Sequence, residues 1–458
     1  MEFIHPTFTP GETIAAVATP PGEGGVAIIR ISGNNALEIA AKIFTGPVLK
    51  YKSHTVHFGK ILNLKREVVD EVLLLVMKDK RSYTGENTVE IHCHGGALIT
   101  RRVLEQVLLA GARAALPGEF TFRAFINGKL DLAQAEAVQA LIGAKNEHAL
   151  KAAENHLQGN LSKKILHFQQ ALTETAAILE AWVDFPEEGL EFSTMEEMEE
   201  HLDKVIEEME TLLKTFHNGK IVGDGISMCL IGCPNVGKSS LMNALLTKDR
   251  AIVSPIPGTT RDLLEDHMCL NGLNFRLMDT AGIRKASDLI EQEGIRRSKE
   301  AMLGSDLILL VLDASKEIED EENWLMDQVP KHKTIAIWNK MDLLCKELPP
   351  INFPYHVQIS AKNQVGLDLL KEKIDEVIWE KGPPAKDEVL ITSLRHKEAL
   401  QNSISACRQV KLSLKSGVSP EFLSFDMRES LSELGKIIGT NITEDILSSI
   451  FSKFCIGK

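Results

Sequence analysis

Gly232-Cys233-Pro234-Asn235-Val236-Gly237-Lys238-Ser239 follows the apolar run Met228–Ile231 and leads into a helix-like stretch. The segment satisfies G-x-x-x-x-G-K-[ST] in the strand–loop–helix setting that gives the pattern its meaning. Its glycines let backbone N–H groups close around phosphates, and the helix beyond presents its positive N-terminal end. In such a loop Lys238 reaches the β- and γ-phosphates and the Ser239 hydroxyl binds Mg²⁺. Asn235, Val236, Gly237 and Ser240 are expected to line the same nucleotide.

Working outward, three more segments fall in the order this fold requires. Asp279-Thr280-Ala281-Gly282 follows an apolar strand, which places a carboxylate near the Mg²⁺ shell and a glycine N–H near the γ-phosphate. Asn339-Lys340-Met341-Asp342 ends the run Thr334–Trp338 and matches the guanine-reading N-K-x-D pattern of GTPases. The Asp342 carboxylate can accept from both the N1–H and the exocyclic amine of guanine; adenine offers no such edge, so the wrong base is rejected by ~10⁴. Ser360-Ala361-Lys362, after the next strand, fits a loop whose backbone supports the base. Gly258-Thr259-Thr260-Arg261-Asp262 lies where a switch loop belongs, with Thr260 able to close onto Mg²⁺ and the γ-phosphate. With Ser254, these residues complete the expected GTP-binding set. The position that holds a water-orienting glutamine in Ras-like proteins is Ile283, so another residue must place the attacking water.

The surrounding pattern predicts a parallel sheet wrapped by helices from Ile221 to about Trp379. Strands are expected at Met228–Ile231, Leu307–Leu312, Thr334–Trp338 and Tyr355–Ile359. One hairpin interrupts it, Leu264–Leu270 and Asn274–Met278 flanking Asn271-Gly272, the preferred type I′ turn pair. Upstream, Thr13–Ala115 reads as a mixed α+β domain with strands at Ile14–Ala18, Val26–Ile31, Val69–Met77 and Val89–Cys93. Helices are expected there near Ala36–Ile43 and Ala97–Leu109. From Pro117 to His217, and again from Asp387 onward, apolar residues recur at helical spacing. Lys381-Gly382-Pro383-Pro384 reads as a linker. The economical organisation is four segments: an α+β domain over 1–118, a helical domain split into 119–218 and 381–458, and a GTPase domain over 219–380 inserted between the halves. Two separate helical domains are the alternative.

The 458 residues suit about three domains. With 44 % hydrophobic and 25 % charged residues the chain is of ordinary globular composition. Seven cysteines, scattered and odd in number, form neither a disulfide framework nor a paired zinc site, and are read as reduced thiols of a cytoplasmic protein. No signal-like N-terminus and no apolar run near the ~18 residues of a bilayer span is visible, so no membrane association is expected. A net charge of −13 restricts any nucleic-acid contact to a local patch. Acids crowd Glu187–Glu210 without an oxygen-ligand pattern and are read as a solvated face or loop. His92 and His94 share a strand face but lack a third ligand, so strand-end packing is expected rather than a metal site. Cys455 stands fourth from the end, yet Gly457 and Lys458 do not fit a prenylation signal.

Four further segments carry a resemblance that spans essentially the whole chain: Ala18-Thr19-Pro20-Pro21-Gly22 with Gly24-Gly25-Val26, Glu90-Ile91-His92-Cys93-His94-Gly95-Gly96, Lys129-Leu130-Asp131-Leu132-Ala133-Gln134-Ala135-Glu136, and Phe454-Cys455-Ile456-Gly457-Lys458. With the G-T-T-R-D switch they resemble the MnmE (TrmE) family of bacterial tRNA-modification GTPases. The resemblance implies a K⁺-stimulated GTPase whose G domains pair across a homodimer. It implies K⁺ on Asn235, Thr259 and the backbone carbonyls of Ser254 and Ile256, Mg²⁺ on Ser239 and Thr260, and Glu291 orienting the catalytic water through a second water. It also implies that Arg30, Glu90, Lys129 and Lys458 contact a 5-formyl- or 5,10-methylene-tetrahydrofolate. The implied partners are tRNA and the flavoprotein MnmG, in a heterotetramer, and the implied product carries an aminomethyl or carboxymethylaminomethyl group on C5 of the wobble uridine. A ribosome-assembly GTPase is the competing class; it would share the nucleotide motifs but lack the Arg30 and Glu90 segments.

Overall fold

The computed structural model describes residues 11–184, 194–248, 267–278, 302, 304–379, 382–385 and 387–457. The chain divides into two compact units, one of Met1–Gln139, His156–Ile206 and Ala399–Lys458, the other of Ala140–Asn155 and Glu207–Glu398.

The first unit contains a sheet of β1 (Ile14–Val17), β2 (Val26–Ser32), β3 (Thr55–Leu62), β4 (Val68–Met77), β5 (Thr88–His94) and β6 (Arg113–Ala114), in the order β3-β4-β5-β2-β1-β6. Neighbours are antiparallel except β1 and β6. Alternation sorts the faces. Ile29, Ile31, Leu74, Val89 and Ile91 share a buried core with Ile39, Ala40 and Ile43 of helix Ala36–Ile43 and with Val103 and Val107 of helix Ala97–Leu109. Arg30 and Glu90, the residues between, face the other way. The sequence expected these strands and helices but not β3 or the two-residue β6. In β3 the outward positions Val56 and Phe58 are apolar and 56 % and 70 % exposed, while Gly59 breaks the inward series.

One long helix from each helical block packs against the other. Helix Asn160–Asp184 buries Leu161, Ile165, Phe168 and Leu172, and helix Pro420–Ile438 buries Leu423, Met427, Leu434 and Ile437. Polar contacts fix their register: Gln169 Nε2 donates to the Leu431 carbonyl at 3.4 Å, and Arg428 Nη2 meets Glu180 Oε1 at 2.7 Å. The acidic helix Met195–Lys214 turns Met198, Leu202 and Val205 inward, and its acids meet solvent or lysines, Asp203 with Lys411 at 2.5 Å and Glu199 with Lys415 at 3.1 Å. That is the solvated face the sequence suggested; residues 187–193 of the acidic stretch lie outside the described residues.

The second unit holds β7 (Ile226–Ile231), β8 (His267–Leu270), β9 (Leu273–Met278), β10 (Leu307–Asp313), β11 (Thr334–Asn339) and β12 (Tyr355–Gln358), ordered β12-β11-β10-β7-β9-β8. All pairs are parallel except the β8–β9 hairpin. The hairpin turns at Asn271 and Gly272 with φ of 51° and 73°, the two positive angles that a type I′ turn demands. A parallel sheet is covered on both faces, so its central strand is apolar from Leu307 to Leu312. Leu307, Leu309 and Val311 pack with Leu241 and Leu245 of helix Lys238–Lys248 and with Leu370 and Ile374 of helix Leu367–Ile378. Ile308, Leu310 and Leu312 pack with Trp338 and with Leu325 of helix Asp320–Gln328. Among the described residues no helix is long and apolar enough to cross a membrane.

Candidate active site

The phosphate loop begins where β7 ends and closes on the helix that starts at Lys238. Asn235 sits in the left-handed region at φ 64°, and Gly237 at φ 99°. A Cβ on Gly237 would lie 2.2 Å from Asn339 Nδ2, so glycine is required both for its angle and for the approach of Asn339. The Lys238 ammonium turns back into the loop and donates to the carbonyls of Gly232 at 2.7 Å and Cys233 at 2.8 Å. It is thus held at the centre of the turn, where phosphate oxygens would gather. Ser239, at the helix start, is exposed, as is Asn235.

The parallel register sets the base-reading end, because Asp313 at the end of β10 lies opposite Asn339 at the end of β11. Asn339 is 2 % exposed; its Nδ2 donates to the Val236 carbonyl at 2.9 Å and its Oδ1 accepts the Ala361 N–H at 3.0 Å. One side chain therefore ties the phosphate loop to the Ser360-Ala361-Lys362 loop. Lys340 adopts a left-handed conformation, φ 64° and ψ 36°, and its ammonium meets Asp313 Oδ2 at 2.6 Å. Burial pushes the Asp313 carboxyl up, but the Lys340 ammonium and the hydroxyl and N–H of Ser315 outweigh it and hold the group below its ordinary range. Asp342 is exposed, and its Oδ1 accepts the Ser360 hydroxyl at 2.5 Å. The Asn363 N–H donates to that hydroxyl at 3.2 Å, which fixes its direction. The carboxylate is thus aimed by its neighbour. Lys362 is exposed beside it. Sequence reading passed over Asp313; its signal was its place at the strand end opposite the N-K-x-D asparagine.

Cys233 in the phosphate loop disfavours its thiolate form. Burial, and then Glu321, Glu322 and Glu319, push its thiol up to about 12. Ser254, Ile256, Gly258, Thr259, Thr260, Asp279, Thr280, Ala281, Gly282 and Glu291 lie outside the described residues.

A second polar site lies on the outward face of the first sheet. Arg30 and Glu90 stand directly opposite across β2 and β5, with Nε to Oε1 2.8 Å and side chains only 15 % and 12 % exposed. The Arg30 guanidinium lies 5.7 Å from the ring centroids of both Tyr83 and Phe120, and its Nη1 donates to the Gly457 carbonyl at 3.4 Å. Gly457 has φ 96°, and a Cβ there would meet the Val17 carbonyl oxygen at 2.3 Å, so the chain end is threaded tightly against β1. His92 Nε2 is buried 3.5 Å from Glu90 Oε2 without hydrogen-bond geometry. Lys129 is exposed and donates to the Lys80 carbonyl at 2.8 Å; Lys458 lies outside the described residues. His94, 71 % exposed at its side chain, pairs with Asp70 at 2.7 Å, and among the described residues no three metal-ligating side chains cluster. Tyr83, Phe120 and the Gly457 carbonyl escaped the sequence reading because only the folded chain brings them to Arg30.

A doubly wound parallel sheet with a lysine-closed phosphate loop, braced to an N-K-x-D strand end, defines a P-loop GTPase. The description "GTP-binding protein TrmE N-terminus" matches residues 13–129, and "MnmE helical domain" matches residues 132–455. The chain is 68 % identical to the tRNA modification GTPase MnmE of Protochlamydia amoebophila over all of both proteins. It is 46 % identical to the tRNA modification GTPase MnmE of Moorella thermoacetica, over 98 % of this chain and 99 % of that protein. It is also similar to the solved G domain of the T. maritima FeoB iron transporter, at 30 % identity and a TM-score of 0.25, over 34 % of this chain and 99 % of that one. The chain belongs to the MnmE family.

Proposed function

We propose that this protein hydrolyses GTP to drive tRNA modification. With the flavoprotein MnmG, in a heterotetramer, it adds an aminomethyl or carboxymethylaminomethyl group to C5 of the wobble uridine, in the cytoplasm. The observation that carries the reading is the presence, in one chain that matches family members end to end, of a GTPase site and a separate, largely buried Arg30–Glu90 site. The proposed division is the α+β domain over 1–118, the helical halves over 119–218 and 381–458, and the G domain over 219–380.

In the G domain, Lys238 exchanges its two loop carbonyls for phosphate oxygens when GTP enters, and Asp342, aimed by Ser360, accepts from the guanine edge. Water attacks the γ-phosphorus, the bond to the β–γ bridging oxygen breaks, and GDP and phosphate leave. Glu291 orients that water through a second one. Ser239 and Thr260 would hold Mg²⁺, and Asn235, Thr259 and the carbonyls of Ser254 and Ile256 would hold K⁺; the exposed left-handed Asn235 fits such a ligand. Bound K⁺ supplies the positive charge an arginine finger gives elsewhere, an effect of ~10³ to 10⁵ in rate. The G domains of a homodimer pair during this step.

At the other site, the Arg30–Glu90 pair and the buried His92 Nε2 beside Glu90 fit a polar, anionic heterocycle. A tetrahydrofolate bound there supplies the one-carbon unit. Glu90 would accept paired donors of the pterin edge, and Arg30, Lys129 and Lys458 would hold its anionic portion.

The hydrolytic part is tested by rates in KCl and NaCl of equal ionic strength: a large excess in KCl is expected, and equal rates overturn the cation role. Glu291→Ala should bind GTP yet lose most turnover. Calorimetry with 5-formyl-tetrahydrofolate tests the second site, and absence of binding overturns it.

A further inference from the structure

At the open end of the β3–β4 hairpin two segments meet next to the second site, whose Lys129 donates to the Lys80 carbonyl. The Lys78 N–H donates to Ser53 Oγ at 2.9 Å, and the His54 N–H to the Val76 carbonyl at 2.6 Å, which fixes the loop before β3 against the loop after β4. Together they line a cavity of about 900 Å³ that gathers five cations, Lys50, Lys52, Lys78, Lys80 and Arg81, around a single acid, Asp79. All but Lys78 are exposed.

These charges are left unneutralised. Among the described residues none of the five has a carboxylate within 4.0 Å; Lys78 Nζ reaches only the Leu49 carbonyl, at 3.5 Å. Elsewhere on the surface lysines do find acids, as in Lys60 with Glu71 at 3.0 Å and Lys346 with Glu317 at 2.9 Å. On a chain of net charge −13, a preorganised cluster of like charges creates a local positive field suited to a polyanion. The one aromatic residue of the cavity, Tyr51, is already stacked on His57, centroids 3.3 Å apart and planes 5° apart. It is not free to stack on a base, so the surface reads phosphates rather than sequence.

We infer that this patch docks the phosphodiester backbone of the tRNA substrate, an inference that rests on the tRNA reading above. The contact positions the tRNA and is indifferent to its sequence.

The test compares the full-length protein with its Lys50→Gln/Lys52→Gln/Arg81→Gln variant, titrating an unmodified tRNA transcript at several KCl concentrations. Each lost phosphate contact should lower the slope of log affinity against log salt by roughly one, so a fall of about two to three is expected. Affinity should drop at least tenfold on the order of magnitude of such contacts, equally for tRNAs of different sequence. GTP hydrolysis without tRNA and 5-formyl-tetrahydrofolate binding should stay at the wild-type level, which shows that the variant is folded. An unchanged affinity and slope overturn the inference. So does loss of binding to phosphatidylglycerol vesicles with tRNA binding intact, which would make the patch a lipid surface. If the variant binds tRNA normally while the gene still supports wobble modification in cells, the docking inference alone fails; if deleting the gene leaves modification untouched, the tRNA reading fails with it.

Discussion

Asn339 donates from Nδ2 to the Val236 carbonyl across 2.9 Å, so the first residue of the base-reading motif is a strut under the phosphate loop. Its Oδ1 holds Ala361 in the same way, and the side chain is buried. Recognition of the base and the shape of the phosphate cradle are therefore coupled through one amide.

Asn339→Ala should accordingly damage both. Two buried backbone groups lose their partner, a cost of ~1 to 3 kcal/mol each before relaxation. Nucleotide affinity should fall by more than about tenfold, since each 1.4 kcal/mol is a factor of ten. Titration of a fluorescent GDP analogue and a melting curve check this; wild-type affinity would show that the strut is dispensable.

The Asp313–Lys340 pair gives a pH signature. The folded carboxyl lies below its ordinary 3.8, so its contribution is present in full above that value and is lost as pH falls through the lower folded one. Asp313→Asn should thus be less stable than wild type at neutral pH, and the gap should narrow once pH drops below 3.8. Urea melts of the two proteins across that range test it. A gap that widened on acidification would contradict the ion-pair account.

The thiols should react in an order set by exposure and burial. Cys345 and Cys455 are exposed, whereas Cys233 is pushed up to about 12 and Cys229 and Cys407 to about 11, in each case by burial first. Iodoacetamide at pH near 8 should label Cys345 and Cys455 well before the other three, since the thiolate is the reacting form. Peptide mapping reads the order, and early labelling of Cys233 would refute the placement.

Arg30→Ala leaves Glu90, 12 % exposed, without its cation. Binding of 5-formyl-tetrahydrofolate should weaken by more than about tenfold, as charge-assisted hydrogen bonds are worth ~1.5 to 3 kcal/mol. GTP hydrolysis should persist, because Arg30 and the phosphate loop belong to different compact units. Loss of hydrolysis with folate binding intact would reverse the assignment.

Local patterns in the chain announced the nucleotide domain because its chemistry is local. The phosphate loop needs a strand, a glycine turn and a helix start in succession, and the Asn271-Gly272 hairpin needs only two residues. Contacts made by register were not legible. Arg30 meets Glu90 sixty residues away because β2 pairs with β5, and Lys340 meets Asp313 because β10 and β11 end together. Strand β3 was missed for a physical reason, since its solvent face carries Val56 and Phe58 and its core face is broken by Gly59. Threading of Gly457 against Val17 brings together segments far apart in the chain, a closeness that no window of sequence contains.

The central claim is that GTP turnover in this protein serves tRNA modification. Mass spectrometry of tRNA nucleosides from cells lacking the gene, complemented with wild type or with Lys238→Ala, tests it most directly. The account expects aminomethyl-type wobble uridines to vanish on deletion and to return with wild type alone. Their persistence after deletion, or their full recovery with Lys238→Ala, would contradict it.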